Sequence, residues 1–104
     1  MKSIFKMDER LGISLPRLQK EWEDYTKEEQ QAILLKWEEI RGTIPDRIYE
    51  LETIINEKQA QLGEESNFER SCQLNHDISE LASIINDLWI WYRLNQHVSK
   101  AIHT

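Results

Sequence analysis

The sequence predicts an all-α fold built on a long antiparallel helical hairpin, with arms at about 26–62 and 66–102. A short N-terminal helix at about 14–25 is expected to complete a three-helix bundle at one end. The observations behind this prediction are two helix-start signals, a heptad-like apolar period in both arms, and a short turn between the arms.

The helix-start signals are Thr26 with Glu29 and Ser66 with Glu69, each with the spacing of a capping box. In that motif the hydroxyl accepts the backbone N–H of the third helical residue, and the Glu accepts the N–H of the cap. Gly63 is expected to close the first arm as its C-terminal cap. The two arms are therefore of matched length.

The apolar period continues through each arm. The first arm carries its apolar residues at Ile33, Trp37, Ile40, Ile44, Ile48, Leu51, Ile55 and Leu62, and the second at Leu74, Ile78, Leu81, Ile85, Leu88 and Tyr92. Pro45 interrupts the first arm, and it either kinks one helix or separates two. We favour a stop at Gly42 and a restart with Thr43 as cap, because proline removes a backbone donor and clashes with the preceding turn.

The N-terminal helix is predicted from Ser14 as N-cap, Pro16 in the first turn, and an apolar stripe that includes Leu18 and Trp22. Residues 1–12 are open between a flexible arm, a short helix and an extended segment. The whole chain of 104 residues is expected to form a single domain.

The second arm is apolar all round at residues 88–92, which indicates burial on more than one side. The N-terminal helix is the expected cover, and a second chain is the alternative. The candidate interaction surface is accordingly aromatic and aliphatic: Trp22, Trp37, Ile84, Trp89, Trp91, Leu94, Val98 and Ile102. A homodimer with a four-helix arrangement is expected.

Charge and cysteine content narrow the function classes. The formal net charge of −6 opposes a phosphate backbone, although residues 1–20 carry a local balance of +3. The lone Cys72 forms no intramolecular disulfide and favours the cytoplasm, and no apolar run predicts a signal peptide or a membrane span.

For each candidate chemical site, a structural explanation of its residues is favoured over a functional one. Glu69, Cys72, His76 and Glu80 share one helical face, but a convincing metal centre needs ligands that converge from several segments, so a solvated face is expected. No catalytic residue, cofactor, metal or small-molecule substrate is predicted. The acidic pairs Glu28-Glu29 and Glu38-Glu39 are likewise expected to lie on solvated helix faces, and Glu64-Glu65 is expected to lie in the turn.

The sequence therefore predicts a non-enzymatic cytoplasmic protein-interaction module, a small helical regulator or scaffold that self-associates. The alternative is a metal-dependent hydrolase whose acidic site is assembled between chains. Binding of nucleic acid through the basic N-terminal segment is a third and weaker hypothesis, because no helix carries a basic stripe.

Overall fold

The computed structural model of the chain describes residues 4–93. Two short strands come first, β1 (Phe5–Asp8) and β2 (Ile13–Pro16), followed by a single 3-10 turn at Trp22–Asp24. Two long helices follow, α1 (Lys27–Glu64) and α2 (Phe68–Arg93). They pack against one another as an antiparallel hairpin 60 Å long and about 20 Å wide, so the predicted helical hairpin is confirmed.

Local capping sets where both helices begin. The Thr26 Oγ1 accepts the Glu29 N–H at 3.1 Å and the Glu29 carboxylate accepts the Thr26 N–H at 2.9 Å, so the first capping box forms as predicted. At α2 the cap lies one residue later than expected. Asn67, rather than Ser66, supplies the side-chain oxygen, which accepts the Arg70 N–H at 2.9 Å.

The predicted break in the first arm is wrong, because α1 runs unbroken through Pro45. Ile44, Ile48 and Leu51 are all buried around the proline. Each buried aliphatic side chain contributes about 1.5–3 kcal/mol, which together exceeds the roughly 3 kcal/mol that an internal proline costs. The Gly63 cap is also wrong, since Gly63 lies inside α1 and the backbone N–H of Glu65 donates to the Leu62 carbonyl at 3.3 Å.

The N-terminal helix predicted at 14–25 is wrong as well. Residues Ile13–Pro16 form a strand that pairs antiparallel with β1, with Phe5 opposite Pro16 and Asp8 opposite Ile13. Only Trp22–Asp24 is helical in that region, as one 3-10 turn. Residues 4–93 therefore contain a β-hairpin in place of a third long helix, and the three-helix bundle does not form within them.

The turn of the β-hairpin explains this outcome. The Asp8 carboxylate accepts the Leu11 N–H at 2.9 Å, and the Asp8 carbonyl accepts the Gly12 N–H at 2.8 Å. Gly12 has φ 77°, the left-handed region that glycine adopts without strain. The chain thus reverses at Gly12, so the helical spacing of Ile4, Met7 and Leu11 does not produce a helix.

The β-hairpin packs on one side of the helical hairpin, toward the end where α1 begins. Leu11 and Ile13 join the main core, where Ile44 and Leu88 are fully buried. A second cluster surrounds the start of α1 and consists of the buried residues Ile4, Trp22, Tyr25 and Ile33. The N-terminal segment therefore encloses one end of the molecule, as expected, with strands and a 3-10 turn instead of a helix.

Substitution of two glycines by alanine is expected to have opposite effects on stability. A Cβ at Gly12 would lie 2.6 Å from the Arg47 Nε in a strained backbone conformation, so Gly12→Ala should lower the free energy of unfolding by about 1–3 kcal/mol. Gly42 lies in α1 with no atom within 4 Å of its Cβ position, so Gly42→Ala should raise it by about 0.5–1 kcal/mol. Urea denaturation followed by circular dichroism measures both, and equal effects would contradict this account of the turn.

Candidate interaction surface

Of the five predicted surface residues that the structure describes, two are buried, two are half-buried and one is exposed. Trp22 and Trp37 are 7% and 3% exposed, and Ile84 and Trp91 are half-buried against the main core. Trp89 is 38% exposed. Leu94, Val98 and Ile102 lie outside the described residues.

The β-hairpin provides the cover that the apolar turn of α2 requires. Leu11, Ile13 and Leu15 belong to the same cluster as Leu88 and Trp91. The Trp91 ring also meets the Trp37 ring edge to face, with centroids 5.7 Å apart. These aromatic side chains therefore stabilise the end of the molecule where α1 begins.

Polar contacts anchor the β-hairpin to both helices. The Arg47 Nε of α1 donates to the Leu11 carbonyl at 3.1 Å. Arg10 donates to the Asp87 carboxylate at 2.7 Å and to the Ser83 hydroxyl at 3.0 Å, both on α2. We call the side of the helical hairpin that includes Arg47, Ser83 and Asp87 the covered face.

The covered face is apolar only where the β-hairpin lies on it. Ile84 and Trp91 pack in the core, but Asp77, seven residues before Ile84, holds the same heptad position and is ionic. Its carboxylate accepts a hydrogen bond from the Lys58 ammonium at 3.1 Å. Beyond the β-hairpin this face consists of Glu50, Ile54, Glu57, Gln61, Arg70, Gln73, Asp77 and Glu80. Five of those eight side chains are charged, which suits a solvated surface.

The opposite side, which we call the open face, has a different composition. Heptad spacing places it on the side where the Arg41 guanidinium lies 4.7 Å from the centroid of the Tyr92 ring. Its members are Glu38, Arg41, Pro45, Glu52, Ile55, Gln59 and Leu62 of α1, and Phe68, Asn75, Ile78, Ala82, Ile85, Trp89 and Tyr92 of α2. Only the first two and Glu52 are charged, and no segment within residues 4–93 packs over this face.

Half-buried aliphatic side chains form the centre of the open face. Ile55, Leu62, Ile78 and Ile85 lie at the edge of the α1–α2 seam. Trp89 stands beside them, with its ring edge to face with Tyr92 at 5.6 Å between centroids. Sequence reasoning assigned these aliphatic residues to the seam and so missed the surface they form. The signal that could have found it is the width of the apolar stripe, which exceeds what one partner helix covers.

The acidic and thiol side chains stay apart. Cys72 is a free, exposed thiol, and Glu69, His76 and Glu80 are exposed as well. Within the described residues, no group of three or more His, Cys, Asp or Glu side chains lies close enough to hold a metal ion. No helix of residues 4–93 combines the length and the apolar character that crossing a bilayer requires.

Comparison of the chain with models of protein families, with curated proteins and with solved structures gave no match in any of the three.

The polar part of the covered face should make stability depend on acid pH. The Gln73 amide donates to Asp77 at 2.8 Å, and together with the Lys58 bond this lowers the pKa of the Asp77 carboxyl. A lowered folded-state pKa adds stability above the unfolded value, about 3.9, that is lost as the pH falls through the folded value.

Asp77→Asn should accordingly have a lower Tm than the parent protein at pH 6, and the two Tm values should converge as the pH falls below about 4. Thermal unfolding between pH 2.5 and pH 6 measures this difference. Asp46→Asn, an exposed carboxylate on the outer side of α1, serves as the control. A constant difference across the whole pH range would contradict the assigned role of Asp77.

Proposed function

We propose that this protein is a non-enzymatic protein-interaction module, a small helical regulator or scaffold that self-associates through its helical hairpin. The observation that carries the proposal is the open face, an apolar strip along both helices over which no described segment packs. Extended exposed apolar patches on a folded domain mark interaction sites.

The contrast between the two faces strengthens the proposal. A helical surface that only water contacts is expected to be polar, and beyond the β-hairpin the covered face is polar except at Ile54. Over the same part of the helices the open face keeps the aliphatic residues Ile55, Leu62 and Ile78, and Glu52 is its only charged residue there. The difference lies within one pair of helices, so it is not explained by overall composition.

The aromatic residues of the open face suit an interface. Trp89 is 38% exposed, and its edge contact with Tyr92 holds the ring in place. Tryptophan and tyrosine are enriched among the residues that dominate binding energy, and a ring that is already ordered loses less conformational freedom on binding. The exposed free thiol of Cys72 supports a reducing compartment such as the cytoplasm.

The central test compares the solution mass of two matched variants, in each of which glutamate replaces an exposed alanine. Ala82 is exposed on the open face, whereas Ala60 is exposed on the outer side of α1. Ala82→Glu should weaken self-association about tenfold or more, because it buries a carboxylate in an apolar interface. Ala60→Glu should leave it unchanged. Sedimentation velocity over a range of concentrations measures both variants, and circular dichroism verifies that each is folded.

A protein that sediments as a monomer at every concentration would contradict self-association. Equal weakening in the two variants would contradict the assignment to the open face. The hydrolase alternative is tested on the same samples, since a bound metal raises the Tm of the native state in a saturable way. We expect Mg²⁺ and Mn²⁺ to leave the Tm unchanged, and a saturable rise would favour the enzyme.

A further inference from the structure

We infer that the open face binds a second copy of this chain in antiparallel orientation, so that α1 packs on α1 of the partner and α2 on α2 of the partner. The resulting assembly has two layers of two helices each, with a β-hairpin on the outer side of each layer. This inference rests on the proposed function and specifies the occupant of the face and its orientation.

The length of the open face suits a second copy of the chain. The face follows the helices for most of the 60 Å length of the molecule. A second helical hairpin has the same length and the same heptad period, and it can match the face from end to end.

The distribution of charge selects the antiparallel orientation. The half of the hairpin farthest from the strands, residues 49–80, carries eight acidic and two basic side chains, a balance of −6. The remainder of the chain has eleven of each and is neutral. A parallel dimer would place the two acidic halves, each with a charge of −6, side by side. An antiparallel dimer places each acidic half beside the neutral half of its partner. Repulsion is screened over about 8 Å at physiological ionic strength, so acidic halves at opposite ends of the dimer no longer oppose association.

The charged residues of the open face agree with the same register. The midpoint of α1 lies between Pro45 and Asp46, and the midpoint between Arg41 and Glu52 lies one residue further on. A two-fold axis near this point aligns the two α1 helices over their whole length. It also sets Arg41 of one copy opposite Glu52 of the other. Glu38, the third charged residue of the face, pairs with Arg41 of its own chain at 3.4 Å.

The native Cys72 thiol reports the orientation without any substitution. It is free and exposed, and it lies about 13 residues along α2 from the level of the proposed two-fold axis. Spin labels on Cys72 of two copies should therefore be about 40 Å apart in the antiparallel dimer. In a parallel dimer the two thiols lie at the same level on opposite outer edges, about 25–30 Å apart. Pulsed dipolar spectroscopy of the labelled full-length protein measures this distance.

A charge reversal gives an independent measurement. Glu52→Arg should raise the dimer dissociation constant about threefold or more, because it sets a cation opposite Arg41 of the partner. Glu57→Arg makes the same change on the covered face and should not raise it.

A dimer with a short label distance, or with equal sensitivity to the two charge reversals, would overturn the antiparallel arrangement and leave self-association intact. A monomer by sedimentation would overturn the proposed function itself. The two failures are thus distinguished by mass in one case and by distance in the other.

Discussion

Apolar packing between α1 and α2 is the interaction on which the rest of this structure depends. Ile44, Leu74 and Leu88 have no exposed surface, and Ile48 and Leu51 are 2% exposed. Helices as long as these gain most of their stability from such packing rather than from intrinsic propensity. The same contact keeps α1 continuous through Pro45, since a break there would expose the aliphatic residues on either side. Once the seam is fixed, the helical period decides which side chains lie on each of its two flanks.

Two packed helices leave two flanks, and the protein treats them differently. On one flank the β-hairpin buries Leu11 and Ile13 against the helices, held there by Arg10 and Arg47. Beyond the strands that flank becomes polar, with the Lys58–Asp77 pair in place of apolar contacts. On the other flank the half-buried residues Ile55, Leu62, Ile78 and Ile85 continue the apolar surface, and Glu38 and Arg41 lie toward the start of α1. This difference is the physical basis for proposing that its remaining apolar area is buried by association, since the hydrophobic effect favours removal of such area from water.

Electrostatics favours one orientation of a second copy on the open face, whereas packing alone would not distinguish the two orientations. The open face carries few charges, so it offers little orientation by itself, while the acidic arm concentrates the whole net charge of the chain in residues 49–80. Acidic residues far from the strands also keep a bare pair of helices solvated. In the proposed dimer the arms point in opposite directions.

The sequence by itself determined the helical hairpin, because its signals are local: the capping box at Thr26, the polar cap before Phe68 and an apolar period repeated over many turns. Continuity of α1 through Pro45 was decided by burial against α2. The sequence did not determine the N-terminal segment. A stripe at Leu15, Leu18, Trp22 and Tyr25 fits a helix by spacing, and strands of four residues offer too few positions for their period of two to compete. Only the tertiary structure decided that Ile13–Pro16 pairs with Phe5–Asp8 and packs on the helices, since that choice depends on the Asp8–Gly12 turn and on contacts with Arg47 and Asp87 far along the chain. The open face was likewise decided by what the β-hairpin covers and what it leaves, a non-local outcome that no window of sequence contains.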